Sequence, residues 1–426
     1  MKIHIDIDCF FASAARIIEP SLEGKPIAIG GRSDTKIFDS NAKNQTVNFK
    51  NTGSFVPIFY KNYENKDDDI KNFIDKNGTI RGILTTSSYE ARAFGVKTAM
   101  KISDALKLCP DLIIKAPNMS LYQDLSYQLH NYLYKHIPIV EQASIDEFYG
   151  DLSGWIDNKD LYNFLKFLQE NIKKDLKLPV SIGAAWTKHI AKFSTNFAKP
   201  YGIKIMTKDK YFTHIKGLDI KEFPGIGKNM SYKLYNSGIF TLDDLLERKE
   251  RVYSLGIYAK EIYKRVAGIN DEELKTKKER KSIGISRTIE PLFDRKELKR
   301  RVQILVRHLS FAILKLNVMP TTYHLSLKYE LNKKSYINKS DTTIFNENFF
   351  LKLCMQMLKE ADIYKRLHVI RISISCSSFT KDSKKELNII NFEENLKKRK
   401  LSQSLYQARK KYGLDILKFA NEINSN

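Results

Sequence analysis

The sequence predicts a multidomain protein, with a mixed α/β region, then a helical module, then an α+β region, and three observations predict it. Strand and helix periodicities alternate over the first half of the chain, helical patterns broken by glycine turns follow, and strands with one apolar and one polar face alternate with helices near the end. At 426 residues and 42% hydrophobic, the chain can bury a substantial core and divide into three or four domains.

Ile3, Ile5 and Ile7 alternate with His4, Asp6 and Asp8, the period-two pattern of a strand, and 10–18 reads as a helix. A second strand is expected at 26–29. Between 33 and 79 the sequence turns rich in Asn, Lys and Asp, as in Asn65-Lys66-Asp67-Asp68-Asp69, which reads as a surface insertion. Regular pattern returns at 80–85, with helices expected at 103–108 and 121–136 and a hairpin at 139–152 around Asp146 and Glu147. A helix at 161–176 and a strand at 180–184 complete the α/β region, and a helical module spans 215–269. The charged stretch 275–281 reads as a tether. Beyond it, Tyr323, Leu325, Leu327 and Tyr329 alternate with His324, Ser326 and Lys328, and Ile370, Ile372 and Ile374 with Arg371, Ser373 and Ser375. Those are strands of a sheet with one buried and one cationic face, separated by helices at 298–316 and 349–361.

The net charge of +23 implies a polyanionic partner, nucleic acid or an acidic membrane surface, with a solvated lysine-rich surface as the plainer alternative. The bias is uneven: residues 281–426 carry +15 and the nearly twice longer 1–280 only +8. Cys9, Cys109, Cys354 and Cys376 are far apart, with no metal-ligand spacing, so neither zinc nor a disulfide framework is expected. No apolar run approaches the roughly 18 residues of a membrane span, and no signal peptide precedes the first strand, so a soluble, cytoplasmic chain is expected.

Asp6 on one strand and Asp146-Glu147 on a hairpin are a candidate carboxylate cluster for hard divalent cations. Neighbours on a regular strand face opposite ways, so Asp146 and Glu147 can share a site only if the backbone bends between them. Taken alone, each is equally readable as a surface acid.

The wording around these residues carries more. His4-Ile5-Asp6-Ile7-Asp8-Cys9-Phe10-Phe11-Ala12-Ser13, Tyr89-Glu90-Ala91-Arg92-Ala93-Phe94-Gly95-Val96-Lys97 and Ser144-Ile145-Asp146-Glu147 resemble, in order, the motifs of Y-family DNA polymerases, closest to the DNA polymerase IV branch. So do Ala198-Lys199-Pro200-Tyr201-Gly202-Ile203-Lys204, Phe223-Pro224-Gly225-Ile226-Gly227-Lys228, the segment from Leu255-Gly256 to Gly268-Ile269-Asn270, and Lys281-Ser282-Ile283-Gly284. The resemblance covers nearly the whole chain except about 33–79.

It implies a right-hand polymerase: palm at 1–11 and 118–208, fingers at 12–117 with the insertion, thumb at 209–274, linker at 275–281, little finger at 282–400 and a helical tail at 401–426. It further implies low-fidelity, template-directed translesion synthesis without proofreading, as a monomer acting on primer-template DNA and dNTPs. Asp6, Asp146, Glu147 and the carbonyl of Ile7 would bind two Mg²⁺, Asp8 would give structural support, and Phe10, Tyr89, Arg92 and Lys199 would line the nucleotide. Arg offers a planar fork to phosphate, Lys a point charge and Tyr a hydroxyl. Phe11 would be a steric gate against a ribose 2′-hydroxyl; the alternative for Phe10 and Phe11 is a pair of core aromatics.

Gly225 and Gly227, with Lys228, form a turn whose backbone N–H groups can approach a DNA phosphate, or else a plain helical turn. His324, Lys328 and Arg371 are candidate DNA contacts on the last sheet. Leu387, Ile389, Ile390 and Phe392 lie in a segment that is either a sliding-clamp peptide, with Glu386 in place of the usual Gln, or a linker. Phe148 and Gly150 depart from the family's usual residues after the acidic pair. Rival readings are a catalytically inactive DNA-binding paralogue, a palm-type nucleotidyl cyclase, and a DNA polymerase V-type mutagenesis subunit.

Overall fold

The computed structural model describes residues 1–33, 35–39, 69–75, 77–270, 272–276, 279–380 and 392–422. These form two compact units, 1–31 with 69–276 and 32–39 with 279–422.

The first unit begins with β1 (Lys2–Ile7), α1 (Phe10–Ile18), β2 (Ile27–Gly31), β3 (Ile83–Ser87), α2 (Tyr89–Ala93), α3 (Ile102–Leu108) and β4 (Ile113–Lys115). It continues through α4 (Met119–His136), β5 (Ile139–Gln142), β6 (Glu147–Asp151), α5 (Leu161–Leu176), β7 (Val180–Ala185), α6 (Lys188–Asn196) and β8 (Ile203–Ile205). Its main sheet has the order β5-β6-β1-β7-β8, with β1 at the centre and antiparallel to both neighbours. The helix α4 starts where the Asn118 side chain accepts the Leu121 N–H, and its Leu125, Leu129 and Leu133 recur at helical spacing. They meet Ile3, Ile5 and Ile7 of β1, together with Leu165 and Leu168 of α5, in one core.

The other face of β1 is polar in sequence yet also covered: His4, Asp6 and Asp8 are all buried. Helix α6 crosses this face, and its close approach depends on Gly183, where a Cβ would stand 2.2 Å from the Ala191 carbonyl oxygen. A smaller sheet, β3-β2-β4, lies where fingers are expected. The fully buried Phe73 is part of its core, packed so tightly over Gly30 that a Cβ there would come within 2.4 Å of the ring. Asp69 pairs with Lys115 at 2.8 Å. Residues 69–75 thus belong to this small domain rather than to a surface insertion reaching 79.

The helical module contains α7 (Lys208–His214), α8 (Lys228–Asn236), α9 (Leu242–Glu247), α10 (Lys249–Ser254) and α11 (Ile257–Val266). Its core gathers Phe223, Ile226, Leu234, Leu242, Val252 and Ile262, and a reciprocal Thr241–Asp244 capping box starts α9.

The second unit consists of β9 (Ser282–Leu292), α12 (Arg295–Leu316), β10 (Met319–Tyr329), β11 (Lys334–Ser340), α13 (Glu347–Ala361), β12 (Val369–Thr380) and α14 (Phe392–Tyr412). Its strands form an antiparallel sheet, β11-β10-β12-β9. Tyr323, Leu325, Leu327, Ile372 and Ile374 face a core shared with α12 and α13.

Two expected boundaries are corrected here. The division between little finger and tail at 400/401 falls inside α14, and Arg409 of that helix donates to both oxygens of the buried Glu347 at 2.9 and 2.7 Å. Arg307 of α12, itself buried, pairs with Glu422 at 2.9 Å, so the described part of the tail, to 422, is folded into this unit. The start of the expected insertion is likewise core: Ile37 and Phe38 are buried among the residues of α12 and the sheet, and the Arg300 guanidinium donates to the Phe38 carbonyl at 2.8 Å. Local composition reads as surface at 33–39 because only two apolar side chains anchor it, and their partners lie some 260 residues away. None of the described helices is long and apolar enough to cross a membrane.

Candidate active site

The site is built where β1 and β6 end side by side. Asp6 and Glu147 are direct partners in the antiparallel register, and the Ile7 N–H donates to the Asp146 carbonyl at 3.0 Å. Residues 144–146 form a bend before β6 starts at Glu147, and this is the departure from a regular strand that two adjacent acids need in order to share a site. The Ser144 hydroxyl donates to the Asp146 carboxylate and accepts the Glu147 N–H at 3.0 Å, holding the bend.

Asp6 lies 2.6 Å from the Lys199 ammonium. Burial raises its carboxyl to about 6; Lys199 opposes that shift, while Glu147 and Asp146 add to it, so the three acids share one field. Asp146 is also raised, chiefly by burial and then by Glu147 against the Ser144 hydrogen bond. For Glu147, burial pushes upward too, but the His4 ring and the Lys192 ammonium outweigh it and leave it at about 2. Lys192 contacts both Glu147 oxygens, at 2.7 and 2.6 Å. His4 Nε2 stands 3.9 Å from Glu147, its Nδ1 is 2.9 Å from the Thr195 hydroxyl, and burial lowers the ring to about 4, so it is neutral at pH 7.

Among the described residues, His4, Asp6 and Glu147 are the group whose ligand atoms lie within 4.8 Å of one another. The Asp146 carboxylate, tied to Ser144, stands outside that closest group. Carboxylate oxygens dominate the donor set, as a hard divalent ion requires.

Asp8 does a different job. Its carboxylate accepts from the Ser181 hydroxyl at 2.9 and 3.0 Å, the Tyr201 N–H at 2.8 Å and the Tyr89 hydroxyl at 3.1 Å. This braces the turn at Cys9, whose φ of 45° is left-handed and strained for a residue with a Cβ. The turn redirects the chain from β1 into α1. Around it stand the residues expected at the nucleotide: Tyr89, the exposed Arg92 with its guanidinium 5.0 Å from the Tyr89 ring centre, and Lys199. Phe11 is half-buried and stacks on Tyr122, with ring centres 4.1 Å apart. Phe10 is 3% exposed and belongs to the palm core, so the structure favours a core aromatic over a nucleotide contact there.

In the helical module, Gly225 has φ 102°, Gly227 precedes α8, and Lys228 is exposed at its first turn. On the second unit's sheet, cross-strand registers align Lys334 with Lys328 and Lys328 with Arg371, a row of three cations on the polar face. His324 sits on the same face beside Asn338 and Ser375. Of the clamp-peptide candidates, Phe392 opens α14, while Leu387, Ile389 and Ile390 lie outside the described residues. The sequence reading missed His4, Lys192 and Ser144. His4 was signalled by period two, two residues before Asp6 on the same strand face; Lys192 was signalled only by its i,i+4 relation to Lys188.

The impB/mucB/samB family matches residues 5–196, and that family's C-terminal domain matches 280–389. The DNA polymerase IV of Oceanobacillus iheyensis is 29% identical over 99% of this chain and 93% of its own length. That of Streptococcus agalactiae is 30% identical over 77% of this chain and 79% of its own. Among solved structures, a chimeric Y-family DNA polymerase superposes with TM-score 0.71 at 24% identity, covering 89% of this chain and 99% of its own. An insertion ternary complex of Dbh DNA polymerase gives 0.55 at 22%, with 89% and 99% covered. These structural likenesses are likenesses of fold.

Proposed function

Given that the chain belongs to the impB/mucB/samB family of Y-family DNA polymerases, we propose that it is a DNA-directed DNA polymerase that transfers nucleotides from dNTPs to a primer 3′-hydroxyl with two Mg²⁺ ions and without proofreading, and that it copies damaged templates. One observation carries the chemical part: the register that pairs Asp6 with Glu147 and hydrogen-bonds Ile7 to Asp146 gathers three acids at one strand end. Asp6, Asp146, Glu147 and the Ile7 carbonyl would hold the ions, which when bound supply Lewis-acid neutralisation of the reacting phosphate and acidify the attacking hydroxyl.

The chain's own groups do the rest. Lys199 lies on Asp6, while Tyr89 donates to Asp8 and carries Arg92 over its ring; the three suit the triphosphate, Lys199 as a point charge and Arg92 as a fork. Asp8 keeps the Cys9 turn rigid, so Asp6 and Phe11 are presented from fixed backbone. Phe11, braced by Tyr122, is suited to exclude a 2′-hydroxyl.

Primer-template DNA is the polyanion that the net charge of +23 calls for. Gly227 supports a backbone contact to phosphate: a Cβ there would meet nothing within 4 Å, so no packing within the protein requires glycine. The Lys334–Lys328–Arg371 row supports a second contact, independent of sequence. A monomer at work in the cytoplasm, held to a sliding clamp by residues 386–392, completes the reading; failure of a 384–394 peptide to bind the clamp would remove that last part.

The test is extension of a primed template, undamaged and damaged, with and without Mg²⁺. The parent extends both templates only with the ion, and Asp146→Ala loses about a thousandfold or more in rate. Extension by Asp146→Ala at the parental rate would sink the reading.

A further inference from the structure

Two lysines of α6, one turn apart, face carboxylates, and they differ in what they do. Lys188 pairs with the fully buried Glu141 at 2.6 Å, and Glu141 also accepts the Lys275 N–H at 2.9 Å, which is a link between segments of the fold. Lys192 lies on Glu147, and its ammonium is within hydrogen-bond distance of both carboxylate oxygens. Its side chain is 31% exposed, so its stem has room to swing toward solvent. His4 closes the inner side of Glu147, held in place by Thr195. Asp6 has its own ammonium in Lys199, and the Asp146 carboxylate has the Ser144 hydroxyl, so Lys192 is specific to Glu147 within the cluster.

An ammonium and a divalent cation want the same lone pairs, and the two repel each other at this range. We propose that Lys192 is a positioning residue that holds Glu147 in the direction of Asp6 and competes with the divalent cation for the Glu147 oxygens. Binding of the ion then requires Lys192 to give up at least one of them. Lys192 limits the repulsion among three gathered acids, and it lowers cation affinity before the nucleotide arrives. The proposal rests on the reading of Asp6, Asp146 and Glu147 as metal ligands.

The experiment uses the full chain without DNA or nucleotide. Mn²⁺ is titrated and the free ion followed by electron paramagnetic resonance, alongside melting temperatures in EDTA and in Mn²⁺. Lys192→Met keeps the stem and removes the charge, and Lys192→Arg keeps the charge. The expected result is Mn²⁺ binding about tenfold tighter or more in Lys192→Met, with a lower melting temperature in EDTA and a larger rise on adding Mn²⁺, while Lys192→Arg stays near the parent. Should Lys192→Met not fold, Lys192→Gln gives the same comparison. Equal or weaker Mn²⁺ binding by the neutral variant overturns the proposal. Parental Mn²⁺ binding by Asp6→Ala would instead bring down the metal-ligand reading, so the two failures are distinct.

Discussion

Lysine and arginine serve opposite purposes in the carboxylate site of the first unit and on the sheet of the second. At the site three lysines each have an anion at contact: Lys199 on Asp6, Lys192 on Glu147, Lys188 on Glu141. On the sheet, Lys334, Lys328 and Arg371 stand in one cross-strand row, where like charges disfavour the fold. The second unit is able to pair its charges: inside it, Arg409 meets Glu347 and Arg307 meets Glu422. Charges matched within the chain serve folding or hold a site in place; charges ranked together on an open face call for a polyanion.

That contrast can be broken in four places. Glu347→Ala leaves Arg409 buried without its counter-ion, and it should cost about 3–5 kcal/mol of stability by denaturant unfolding; a change under about 1 kcal/mol would place the pair among surface bridges. Replacing Lys328, Lys334 and Arg371 together by Ala should leave stability unchanged or raised and flatten the slope of log affinity for DNA against log salt by about 2.7. An unchanged slope would remove the sheet from the DNA-binding surface. Phe11→Ala should raise ribonucleotide insertion about tenfold relative to deoxynucleotide, measured by single-nucleotide kinetics, and unchanged discrimination would refute the gate. Gly227→Ala has the smallest expected effect on the fold: with φ −81° and nothing within 4 Å of the new Cβ, stability should move by no more than about 0.5 kcal/mol. Weaker DNA binding in that variant would locate the phosphate contact, and undiminished binding would make the turn a plain helical one.

Much of the fold was legible because it is written in local periods. Helices α1 and α5 run over the spans their patterns predict, and β10 alternates as expected between a packed and a polar face, as β12 does from Arg371 on; a register shift at 369/371 puts Val369 in the core in place of the expected Ile370. The failures have a common cause. Residues 33–39 and 69–75 read as surface insertion because their few apolar anchors, Ile37, Phe38 and Phe73, find partners far along the chain. Helix α14 begins at Phe392, ahead of the helical tail expected from 401, and no local period announces it because its buried groups are Arg399, Ser402 and Arg409 rather than an apolar stripe.

For the site, the sequence by itself marked the candidate residues: Asp6, Asp146 and Glu147, with Tyr89, Arg92 and Lys199, stand in motifs that resemble, in order, those of Y-family polymerases. What tertiary structure alone decided is how those charges are balanced. The register of β1 on β6 brings Asp6 beside Glu147, the bend at 144–146 ties the Asp146 carboxylate to Ser144 next to that pair, and Gly183 admits α6 closely enough for Lys192 and Thr195 to reach Glu147 and His4. Lys192 and Glu147 are 45 residues apart, and no local period links them. Electrostatic partnership depends on distance through space, and that distance exists only once strands and helices have packed.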